Sequence, residues 1–143
     1  NKNYFKLFLK FKHSQESFFS DLTISIFVGR KIKMADIKIT IIDREGVSHE
    51  VDAPTDMNMN IMELVRAYEL APEGTIGVCG GMAMCASCQC YVHTPEINLP
   101  EMNPDEDAML GEAFNVQDNS RLGCQLHITE DMDGLVVELA PEY

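Results

Sequence analysis

Five cysteines, all between positions 79 and 124, restrict this chain more than any other feature. Four stand in the stretch GVCGGMAMCASCQCYV. Cys79, Cys85 and Cys88 follow the spacing C-x5-C-x2-C, and Cys124 comes after 35 further residues. A disulfide framework spreads an even number of cysteines through a small secreted domain. An odd number gathered in one region reads instead as a site, held in a reducing compartment.

Three thiols on one loop and a fourth from a distant segment make a soft four-sulfur donor set, of the kind that holds Zn2+ or an iron–sulfur cluster. Structural zinc sites are commonly built from two C-x2-C pairs. Only Cys85 and Cys88 form such a pair here, and the five-residue loop between Cys79 and Cys85 has to wrap something bulkier than one ion. Gly80 and Gly81 permit the positive φ angles of that wrap, while Ala83, Ala86 and Ser87 keep its walls thin. Backbone N–H groups turned toward sulfur would stabilise the negative charge gained on reduction. Cys85-x-x-Cys88 by itself also matches a thioredoxin-like dithiol, which needs a helix starting at the pair and leaves Cys79 and Cys124 idle.

The rest of the pattern supplies a frame for this loop. Ile37, Ile39 and Ile41 alternate with Lys38 and Thr40, which predicts a half-buried strand; DREG is a turn and VSHEVDA a second strand, together a hairpin. In NIMELVRAYEL, Ile61, Leu64, Val65 and Tyr68 recur at helical spacing, with Asn60 and Glu63 placed as a capping box. CQCYVH predicts a strand after the cysteine loop. NPDEDAMLGEAF predicts a short helix with Asn103 as N-cap and Pro104 at its first position. RLGCQLHIT and LVVELA read as two further strands around the turn EDMDG. The order is β-β-α, site loop, β-α-β-β, in one domain over residues 34–143.

Residues 1–33 carry seven Lys or Arg, two acidic residues and no clean period. They read as an N-terminal appendage, either an organelle-targeting presequence or a non-native upstream stretch ahead of Met34, and the single Arg30 favours the second. Residues 34–143 carry 21 acidic residues and four basic ones, none of the basic ones between Ala67 and Ser120. Phosphate contacts need Lys and Arg, so nucleic acid is excluded as a partner and a basic protein surface is the natural counterpart. No apolar run reaches the roughly 18 to 20 residues of a bilayer span, so membrane insertion is not expected.

The plant-type 2Fe-2S pattern is C-x4-C-x2-C with a distant fourth cysteine. The form with one more residue in the loop, written here as CGGMAMCASC followed by YV, MLGEAF and RLGCQ, resembles the adrenodoxin-like 2Fe-2S ferredoxins, the vertebrate-type and bacterial branch. Weaker similarity runs from about Ile37 to Glu138 and leaves out residues 1–33. The resemblance implies a β-grasp-like α+β fold and a monomeric one-electron carrier that is not itself an enzyme. It implies one 2Fe-2S cluster per chain, with Cys79 and Cys85 on one iron and Cys88 and Cys124 on the other. It also implies an FAD-containing, NAD(P)H-dependent ferredoxin reductase as electron donor. The acceptor would be a cytochrome P450 or another hydroxylase, or the iron–sulfur assembly machinery. The compartment would be the bacterial cytoplasm, or the mitochondrial matrix if residues 1–33 are a presequence.

Several residues carry two readings each. Cys90 is either a small buried hydrophobe or a spare thiol for cluster assembly, a use some assembly-type ferredoxins suggest. Family docking runs through acids on the second helix, so Asp105, Glu106 and Asp107 are candidate partner contacts, with Glu101 and Glu112 beside them. Ala108 and Gly111, however, occupy positions where adrenodoxin-like members often have their two principal aspartates, and a merely solvated helix face is the competing reading. Met82 and Met84 are expected to cover the sulfurs and keep water away. His49, His93 and His127 lack the spacing of a Rieske set and are read as solvated or core residues.

Overall fold

The computed structural model describes residues 36–142, and the N-terminal appendage inferred for residues 1–33 lies outside them. The isoleucine alternation forms β1 (Ile37–Ile42), which pairs antiparallel with β2 (Ser48–Ala53). Asp43 closes the turn, accepting from the backbone N–H groups of Glu45 and Val47 and bonding His49 Nε2 at 2.7 Å. Helix α1 (Ile61–Ala67) begins at the expected capping box: Asn60 Oδ1 accepts from Glu63 N–H, and Glu63 Oε2 accepts from Asn60 N–H. Helix α2 (Pro104–Gly111) is capped by Asn103 and carries its acids in the first turn.

Strands β3 (Gln89–Val92), β4 (Ser120–Leu122) and β5 (Val136–Leu139) complete a mixed sheet in the order β2-β1-β5-β3-β4. Only β1 and β5 run parallel. This is the β-grasp-like α+β arrangement. One expectation needs correction, because RLGCQLHIT is not one strand. It leaves the ladder after Leu122, passes through a 3-10 turn at Gly123–Gln125 and meets the N-cap of α1 by an isolated bridge between His127 and Asn60. The tight turn carries Cys124, which bonds Cys88.

The alternation of β1 and β5 buries Ile39, Ile41 and Val137, and Leu64 and Val65 of α1 are buried as well, together with Leu122, Leu126 and Leu135. Each such side chain contributes about 1.5 to 3 kcal/mol by leaving water. Ile61 N–H donates to Leu126 O and Ile128 N–H to Met59 O, which pins the start of α1 to the segment that carries Cys124.

Candidate functional site

The loop from Gly77 to Cys88 has no helix or strand, and β3 starts at the next residue. A dithiol at a helix start is thus not what Cys85 and Cys88 form. The loop is turned by positive φ at Gly80 (73°) and Gly81 (93°), and also at Ala83 (52°), a conformation an L-residue adopts only under strain. The result is a run of inward-facing amides. The backbone N–H groups of Met84, Gly81 and Met82 bond to the sulfur of Cys79, and that of Ala83 bonds to Cys124.

Two thiol pairs stand inside this wrap. Cys79 bonds Cys85, and Cys88 bonds Cys124. The second pair joins residues far apart in the chain through the sheet: Gln89 lies opposite Leu122, and Gly123 N–H donates to Cys88 O at 2.9 Å. A Cβ at Gly123 would stand 3.1 Å from Cys88 O and 3.2 Å from Met62 N, so this approach needs a residue without a side chain. Cys88, Cys90 and Cys124 are buried, while Cys79 and Cys85 are half-buried at the rim.

The electrostatics favour thiolate at two of the four positions. Burial opposes charge on Cys79, but the amides of Met84, Gly81 and Met82 and the Cys85 thiol outweigh it and bring its pKa to about 7. Cys124 is held well below the ordinary thiol range, first by the Cys88 thiol, then against burial by the Gln125 side chain and the Ala83 amide. Cys88, which donates to Cys124 and is buried, is pushed up. Metals bind the thiolate form, so a donor set already furnished with N–H groups at sulfur fits a soft metal group. The pairing places two thiols at each end of the wrap; among the described residues no three His, Cys, Asp or Glu converge on one ion.

Two further residues belong to the site. Gln125 Nε2 lies 3.3 Å from Cys124 Sγ and 3.4 Å from Gly81 O, and its Oε1 accepts from Asn103 Nδ2 at 2.9 Å. Ser87 Oγ lies 3.1 Å from Cys85 Sγ and accepts from Val78 N–H. Both stand next to a cysteine in the sequence, but proximity alone does not say that a side chain turns back on sulfur.

Cys90 is separate from the two pairs. Its side chain is fully buried, its thiol donates to Arg121 O at 3.6 Å, and burial pushes its pKa up to about 12. It sits in the core as an uncharged group. His49 and His93 are each 2.7 Å from a carboxylate, of Asp43 and Glu138, and neither bonds a thiol.

Two expectations are corrected. Glu106 does not face a partner: it is 0% exposed, its Oε1 accepts from Arg121 Nε and Leu122 N–H at 2.8 Å, and its Oε2 accepts from Arg121 Nη2 at 3.1 Å. A helix with acids in its first turn presents them in several directions, and this one points at Arg121. Asp105, Asp107 and Glu112 are exposed. Met82 and Met84 do not cover the sulfurs. They are 66% and 71% exposed, because turning the loop amides inward directs these side chains to solvent.

Comparisons with known proteins bear on this site. The chain is 36% identical over 106 residues to rhodocoxin of Rhodococcus erythropolis, covering 73% of this chain and 95% of that protein. It is 36% identical over 104 residues to a 2Fe-2S ferredoxin of Rickettsia felis, covering 72% and 88%. Among solved structures, reduced putidaredoxin from Pseudomonas putida matches with a TM-score of 0.65 at 29% identity, over 73% of this chain and 97% of that one. Putidaredoxin in its covalent complex with putidaredoxin reductase matches with a TM-score of 0.64 at 29% identity, over 73% and 99%. No protein-family model matches the chain.

Proposed function

The chain belongs to the adrenodoxin-like 2Fe-2S ferredoxins, and on that premise we propose that it is a one-electron carrier holding one cluster on Cys79, Cys85, Cys88 and Cys124. The observation that carries this reading is the two thiol pairs inside a loop whose amides face sulfur. A bound 2Fe-2S cluster supplies one-electron Fe(III)/Fe(II) cycling. The chain's own groups do the rest. Cys79 and Cys85, half-buried at the rim, and buried Cys88 and Cys124 would hold the cluster. The amides of Gly81, Met82, Ala83 and Met84, with Gln125 Nε2, offset negative charge on sulfur and so raise the potential. The half-buried rim end gives the shorter path to a partner.

In this reading the protein works as a monomer and is not itself an enzyme. It receives electrons from an FAD-containing, NAD(P)H-dependent reductase, a reading supported by the complex of the similar putidaredoxin with putidaredoxin reductase. It delivers them to a cytochrome P450, another hydroxylase or the assembly machinery. Exposed Asp105 and Asp107 are the docking acids we retain. Among the described residues no helix is long and apolar enough to cross a membrane. We assign the chain to the bacterial cytoplasm, with the mitochondrial matrix as the alternative if residues 1–33 are a presequence.

The decisive experiment uses purified protein. A red-brown sample whose visible absorption bleaches with dithionite, and which gives a rhombic paramagnetic resonance signal when reduced, is expected. A colourless sample with one zinc and no acid-labile sulfide would overturn the proposal in favour of a structural zinc module.

A further inference from the structure

The loop between Cys79 and Cys85 carries two methionines whose backbone and side chain serve opposite directions. The N–H groups of Met82 and Met84 bond the Cys79 sulfur, while their thioethers stand 66% and 71% exposed. Met62 and Met132, by contrast, are 3% and 0% exposed. Exposure decides which thioethers meet a dissolved oxidant, since the attack needs direct approach to sulfur. Val78, at the other side of Cys79, is also exposed. The rim of the thiol site is therefore apolar and soft, set in a stretch from Ala67 to Ser120 that has no Lys or Arg. Thioether side chains adapt their shape to a partner surface, and a sulfoxide replaces that apolar contact with a strongly polar, chiral group.

We propose that Met82 and Met84 form a peroxide-responsive modification site, whose conversion to sulfoxides weakens docking of protein electron partners while leaving the four thiols in place. Each event is a two-electron oxidation. The thioether sulfur attacks one peroxide oxygen, the O–O bond breaks, an S=O bond forms, and the other oxygen leaves as water. Methionine sulfoxide reductase reverses it. The docking part rests on the electron-carrier reading; the modification part does not.

The test exposes the full-length holoprotein to dilute hydrogen peroxide and maps peptides by mass. One added oxygen at each of Met82 and Met84, ahead of Met62 and Met132, is expected. Treated and untreated protein are then reduced and mixed with two one-electron acceptors, the basic haem protein cytochrome c and the small ion ferricyanide. Transfer to cytochrome c should slow by about fivefold, the scale of losing an interface contact, with transfer to ferricyanide unchanged. Methionine sulfoxide reductase should restore the first rate. The M82L/M84L double variant, compared with its own untreated rate, should not respond to peroxide.

Oxidation spread evenly over buried and exposed methionines would overturn the modification site. An unchanged cytochrome c rate, or an equal loss in M82L/M84L, would overturn the docking effect. A protein that shows no reducible cluster at all would count against the carrier reading and the docking effect together, while the peptide map would still score the two thioethers.

Discussion

Cys124 and Cys90 are both buried thiols, and what separates them is their neighbours. Cys124 receives hydrogen bonds from Cys88, Gln125 and the Ala83 amide, whereas Cys90 only donates to a carbonyl. Cys124→Ala should abolish the visible absorption of the bound cluster. Cys90→Ala should keep that absorption and lose only core packing. Equal cluster loss in both would contradict the ligand set. Gly77 tests the floor of the loop. Its φ is +70°, and a Cβ there would collide with Met62 Sδ, whose side chain is packed beneath. Gly77→Ala should destabilise the fold by about 2 kcal/mol or more in urea unfolding, combining left-handed strain with overpacking.

At the scale of elements, α2 is tied to the Cys124 segment twice. Asn103 caps the helix with Oδ1 and holds Gln125 with Nδ2, and Glu106 holds Arg121 and the Leu122 amide. Removing one partner of a buried pair leaves the other charge uncompensated. Glu106→Ala should therefore cost about 3 to 5 kcal/mol in thermal or urea unfolding. Asp105→Asn, on the exposed side of the same turn, should stay within about 0.5 kcal/mol. The β1–β2 hairpin depends on pH. Asp43 is held below the usual carboxylate range by His49 and by the Val47 and Glu45 amides. Its contribution is present above that range and lost as pH falls through the folded-state value. The stability gap between the wild type and Asp43→Asn should therefore be open near neutrality and close as pH falls below about 4. A gap independent of pH would show that the Asp43 carboxylate is not what closes the turn.

At the scale of the molecule, residues 34–143 hold 21 acidic residues against four basic ones. Among the described basic side chains, Arg121 is spent on Glu106 and Arg44 bonds Thr75, Ala140 O and Glu142. The outward field is negative and a partner has to answer it with positive charge. Raising salt from about 0.05 to 0.5 M should weaken reductase binding through slower association, since the Debye length shrinks below the spacing of surface charges. A salt-insensitive Kd would move the weight of docking to the apolar rim of Val78, Met82 and Met84.

What the sequence determined by itself was local or carried by chemistry. Alternation of isoleucines, the Asn60–Glu63 box and the Asn103–Pro104 start act within a turn or a strand, so their residues suffice to specify them. The proposed donor set comes from chemistry in the same way: thiols at C-x5-C-x2-C with a fourth cysteine admit few chemistries. The tertiary structure decided everything that depends on which distant groups meet. It ended β4 at Leu122 so that Cys124 could reach Cys88, buried Glu106 against Arg121, turned Gln125 onto sulfur and sent the Met82 and Met84 thioethers into water. A charge or a thioether reads the same in a sequence whether it faces solvent or core. The difference is made by the neighbour across the fold, which for Glu106 stands 15 residues away and for Cys88 stands in the 3-10 turn that follows β4.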